Sequence, residues 1–137
     1  MVKVSRIAAA VVPVAALIAM GMAGPAHAGE NCTDKSDDGG ATATFKHDGE
    51  HLLVTDNFRD GHSAIGHLEM ADHSGDHYWY WNRNGKGTTK DFNLPNIVDG
   101  VGVHIGAYLG NWQGTADGGI DFNSNNVIPY CGGVALK

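Results

Sequence analysis

Val101-Gly102-Val103-His104-Ile105-Gly106-Ala107-Tyr108-Leu109 changes character at every step. On an extended chain, successive side chains point to opposite faces. Val101, Val103, Ile105, Ala107 and Leu109 therefore share one face, and Gly102, His104, Gly106 and Tyr108 share the other. A strand with one apolar and one polar face buries the first and wets the second, as antiparallel sheets do. The same period recurs in residues 63–70, where Ala64, Gly66, Leu68 and Met70 oppose Ile65, His67 and Glu69. Leu52 and Val54 follow it, as do Phe92 and Leu94.

Working outward, strands are expected at residues 41–47, 51–56, 63–70, 77–83, 88–94, 101–109 and 127–136. Turn pairs separate them: Asp48-Gly49, Asp60-Gly61, Ser74-Gly75, Asn84-Gly85, Asp99-Gly100 and the Asp117-Gly118-Gly119 run. About seven short strands at this spacing predict an all-β fold, an antiparallel β-sandwich with Greek-key-like connections. Beyond residue 28 no segment reads as a helix of normal length. The chain's 20 glycines weigh against one. Residues 29–40 read as an irregular polar lead-in, residues 41–137 as the single sandwich domain, and residues 111–126 as its longest loop.

The first 28 residues read differently. Lys3 and Arg6 precede an uncharged apolar run at 7–22, and Ala26-His27-Ala28 has the form of a cleavage site. A signal peptide cleaved after Ala28 is expected, with an uncleaved anchor as the alternative. Pro13, Gly21, Ala23 and Gly24 interrupt the run and favour cleavage. Gly29-Glu30-Asn31 ahead of Cys32 does not suit lipid attachment. No later segment is apolar enough to cross a bilayer. The expected destination is extracellular, and the expected product a monomer.

Cleavage would leave seven basic residues, nine less Lys3 and Arg6, against fifteen acidic ones. So acidic a chain is a poor partner for nucleic acid or anionic lipid, both of which are held by Lys/Arg clusters. Cys32 and Cys131 lie near the two ends of the exported part. In an oxidising compartment they are expected to form one disulfide.

Three candidate sites stand out. Seven histidines remain after cleavage: His47, His51, His62, His67, His73, His77 and His104. His73 and His77 flank a Ser-Gly-Asp turn and would converge on zinc or copper, with Asp72 or Asp76 as oxygen donors; the competing reading is solvated polar residues beside turns. Asp34-Lys35-Ser36-Asp37-Asp38-Gly39 and the Asp121, Asn123, Asn125 series begin like calcium loops. Their twelfth positions are Phe45 and Gly132, which excludes an EF-hand and leaves calcium a lesser alternative. The densest aromatic stretch is His77-Tyr78-Trp79-Tyr80-Trp81. Tyr78 and Tyr80 should face one way and Trp79 and Trp81 the other, so one pair is either wet, ready to stack on a sugar, or covered by a loop. The plainer arrangement puts the tryptophans in the core and the tyrosines on the surface. Trp112, in the long loop, joins the binding surface or caps the core.

No catalytic constellation emerges. Gly61-His62-Ser63-Ala64-Ile65-Gly66 misses the nucleophile elbow by one place. Glu30, Glu50 and Glu69 are the only glutamates, and nothing singles out a carboxylate pair. Asp60-Gly61-His62-Ser63-Ala64 and Tyr80-Trp81-Asn82-Arg83-Asn84-Gly85-Lys86-Gly87-Thr88 resemble small secreted proteins of unknown function from high-GC Gram-positive bacteria, over residues 45–109. The resemblance implies a short cysteine pair in the final hairpin. Ala107-Tyr108-Leu109 stands there instead, and no activity follows. The expected function is a non-catalytic extracellular domain that binds a cell-surface glycan or protein partner. A metal-binding protein is the alternative, and a toxin or bacteriocin-like effector the third.

Overall fold

A computed structural model describes residues 31–71, 75–94 and 102–131. The expected signal peptide, His73, Val101 and the end of the expected last strand lie outside these residues. The described residues form β1 (Cys32–Lys35), β2 (Ala41–Lys46), β3 (His51–Asp56), β4 (Ser63–Met70), β5 (His77–Asn82), β6 (Thr89–Asn93), β7 (Val103–Gly110), β8 (Ile120–Asp121) and β9 (Tyr130–Cys131), with one 3-10 turn at Phe122–Ser124. Every pairing is antiparallel. The first sheet has the order β1-β2-β3-β6; the second has β5-β4-β7-β8, with β9 also on β7. The chain crosses between sheets from β3 to β4, from β5 to β6 and from β6 to β7. Non-consecutive β3 and β6, and β4 and β7, thereby become neighbours, the Greek-key character expected of a sandwich.

The alternation works as anticipated on the inner faces. Phe45, Leu52, Val54, Leu68, Val103 and Ile105 are fully buried between the sheets. Gly66 lets the sheets approach: a Cβ there would stand 2.6 Å from Val54 Cγ2 and 2.8 Å from Leu52 Cδ2.

Three expectations need correction. The lead-in 29–40 is not wholly irregular, because it contains β1, with Thr33 and Thr44 hydroxyls 3.0 Å apart across the pair. The loop 111–126 contains β8 and the 3-10 turn. Of the expected strand 127–136, only Tyr130–Cys131 is a strand among the described residues. Pro129, which has no N–H, instead accepts at its carbonyl from Ile105 N at 3.1 Å.

The two lateral sides of the sandwich differ. On one, the Cys32–Cys131 disulfide joins β1 to β9 with Cα atoms 5.8 Å apart. Between β8 and β9, side chains complete the free edge of β7. Asp34 Oδ2 accepts from Ala107 N at 2.9 Å, Ser124 Oγ accepts from Leu109 N at 2.9 Å, and Asn125 Nδ2 donates to both Ala107 O and Asp34. On the other side, edge strands β5 and β6 are bridged among the described residues by Asn82 and by Tyr80 packed on Phe92, without a covalent link, and the surface there is grooved.

Candidate functional site

The outer face of the second sheet is where the period-2 expectation fails. Cross-strand register sets rows Trp81–Ile65–Tyr108, Trp79–His67–Gly106 and His77–Glu69–His104. Ile65, His67 and Tyr108, expected in water, are buried. The cover comes from β5 and from the long loop. Trp79 stacks on the His67 ring at 4.2 Å, and Phe122 stands edge-on to Trp79 at 5.7 Å. Gly106 makes the room, since a Cβ there would lie 2.7 Å from Tyr108 Cε2.

His67 is 4% exposed, and neither ring nitrogen has a hydrogen-bond partner. Burial pushes its pKa down to about 4, against the opposing pull of Glu69 and with smaller help from His77 and His104. The unfolded chain takes up a proton near the ordinary histidine pKa of about 6.5, whereas the native ring does so only near 4. Stability is therefore full above pH 6.5 and falls as the pH drops towards 4, by up to about 3 kcal/mol. Denaturant midpoints at pH 7 and 4.5 should show the loss in the wild type and a smaller one in His67→Phe; equal losses would refute the assignment.

Trp81 anchors the long loop by donating from Nε1 to Ala116 O at 2.7 Å. Trp112, 39% exposed, then stands edge-on to Trp81 at 5.2 Å. The Arg83 guanidinium lies 4.6 Å above the Trp112 ring. On the β6 side, Tyr80 packs on Phe92 at 5.1 Å and Lys90 Nζ lies 4.9 Å from the Phe92 ring. These residues line a groove of about 200 Å³ along the open side. Arg83 also borders a second, more polar cleft of about 390 Å³, between the β3–β4 loop and the β5–β6 turn. Arg59, His62 and Lys86 line that cleft, and Asp56 is part of it.

The expected choice between a wet and a buried aromatic pair is not the one the sheet makes. Trp81 is buried and Trp79 half-buried, but on the outer face. Tyr80 is half-buried and packs against the main core; only Tyr78 is well exposed. Hence the tryptophans are not in the inter-sheet core, because the strand's other face, Tyr80 and Asn82, points inward. Burial raises the Tyr80 phenol above its usual pKa.

His77 is exposed, with its ring 5.9 Å from His67; its expected partner His73 lies outside the described residues. His51 pairs instead with Asp91 at 2.7 Å, and His47 packs edge-on to Phe45. Among the described residues, no group of three or more His, Cys, Asp and Glu is placed to hold a metal ion. The calcium-like starts are engaged locally. Asp38 accepts from Gly40 N and from the Ser36 hydroxyl, bonds that lower its pKa, and Asp121 accepts from Asn123 N. No helix among the described residues is long and apolar enough to cross a membrane.

Sequence reasoning missed Arg83, Lys90, Phe92, Tyr108 and Phe122 as parts of this surface. One signal was available: Arg59, Arg83, Lys86 and Lys90 are four of the seven basic residues beyond residue 28. Set beside known proteins, the chain matches no family model, no curated protein and no solved structure.

Proposed function

We propose that this protein is a non-catalytic extracellular binding domain whose ligand is a cell-surface glycan. The observation that carries this reading is the groove in which Trp112, Trp81 and Arg83 meet on the open side. An exposed indole held by a second ring is a rigid stacking platform, and a sugar's apolar face fits it. The signal-like first 28 residues and the disulfide support an extracellular setting. A protein partner would use the same surface. The zinc or copper alternative would use His73 and His77; glycan binding is preferred because the Trp112 groove is a surface seen among the described residues.

A titration of tryptophan fluorescence with neutral and acidic oligosaccharides tests the reading. Binding should perturb the spectrum, and Trp112→Ala should weaken it about tenfold, the effect of losing about 1.4 kcal/mol of stacking. Melting temperature should hardly change, because Trp112 is no part of the core. An unchanged spectrum across the panel would dispose of the proposal.

A further inference from the structure

We infer that the glycan is an acidic polysaccharide bearing uronate carboxylates, held by its rings on the Trp112 platform and by its carboxylates on Arg83, Lys90, Arg59 and Lys86. This rests on the glycan-binding reading and adds the chemical class of the ligand. Lys35, Lys46, Arg59, Arg83, Lys86 and Lys90 are the lysines and arginines among the described residues, and the last four line the two adjoining clefts. They gather in a chain whose net charge is −6. None of the four is paired with a carboxylate among the described residues; the ion pair formed there is His51 with Asp91.

Edge-strand lysines alone would serve to discourage strand pairing. That account covers Lys90 but not Arg59 and Lys86, which stand in loops. Arg83 is the hinge of the arrangement, since it borders both clefts and lies 4.6 Å above the Trp112 ring. A guanidinium is a planar fork of N–H donors that takes a carboxylate in two parallel hydrogen bonds, and Arg83 is exposed. One buried carboxylate, Asp56, which accepts from Phe58 N–H, lines the larger cleft against the three cations Arg59, Arg83 and Lys86. A local positive field on an acidic body also selects against neutral sugars by difference rather than by contact alone.

The test uses the full chain, fluorescence titration and three ligands: polygalacturonate oligomers, neutral galactan oligomers of equal length, and single-stranded poly(U). Polygalacturonate should bind at least tenfold tighter than the neutral oligomer, and more weakly as salt rises from 20 to about 200 mM. The Arg59→Gln/Lys86→Gln double variant, altered only at exposed loop positions, should lose about tenfold for polygalacturonate and little for the neutral oligomer. Equal binding of the neutral oligomer overturns the inference and leaves glycan binding standing. Equal binding of poly(U) overturns it in favour of a general polyanion surface. Unchanged affinity in the double variant also overturns it. Silence from all three ligands removes both proposals.

Discussion

Reduction of the Cys32–Cys131 bond is expected to lower stability by about 4–5 kcal/mol, the most of any single change considered. The bond joins residues 99 apart, so it constrains nearly the whole described fold in the unfolded state. A domain of this size is stable by about 5–15 kcal/mol in all, so the reduced protein should be marginal near body temperature. What remains on that side is polar: Asp34 and Asn125 on β7, and Ser124 on Leu109 N. Each such bond contributes only about 1 kcal/mol net, too little to replace the crosslink. Thermal melts with and without reductant, and of a Cys32→Ser/Cys131→Ser variant, should show a fall on the order of 20 °C. A fall of under about 5 °C would mean that the polar contacts hold that side unaided.

Asn82→Leu should cost about 3–5 kcal/mol although both side chains branch at Cγ. Asn82 is wholly buried where β5 faces the first sheet. Its Nδ2 donates to Val54 O at 3.0 Å and Thr88 O at 2.9 Å, and its Oδ1 accepts from Asn84 N at 3.1 Å. Leucine would remove the buried Val54 carbonyl's side-chain donor and one of the two donors of Thr88 O, and would force a bulkier apolar group into the site, each at a cost of about 1–3 kcal/mol. The same bonds hold the β5–β6 turn that bears Arg83 and Lys86. Urea unfolding should therefore show a large drop in midpoint, and ligand affinity should fall with it. An unchanged midpoint would mean that Asn82 joins nothing of consequence.

The six strands from β2 to β7 were legible, β5 from its unbroken aromatic run and the others from apolar residues at period 2, set apart by glycine-containing turns. β1 was not, because of its inward positions Cys32 and Asp34 only the first is apolar, too few to show a period. β8 is two residues long and gains its place from its partner β7, a tertiary effect with no local signature. The outer face of the second sheet misled for a related reason. His67 and Tyr108 look like wet-face residues, and only the indoles of a neighbouring strand and Phe122 from a distant loop make them interior. Of the candidate site, the aromatic stretch and Trp112 were visible as residue types. Their assembly with Arg83 and Lys90 was not, because it depends on β5 and β6 lying in different sheets along one side.

The bridge between β1 and β9 also decides how the domain answers tension. A pull applied to the chain outside residues 32 and 131 passes through a covalent sulfur–sulfur link. The hydrogen-bonded ladders of both sheets are bypassed and do not bear the load. Pulled by both ends, the oxidised domain behaves as an inextensible clasp. Once reduced, it becomes a strand-by-strand zipper.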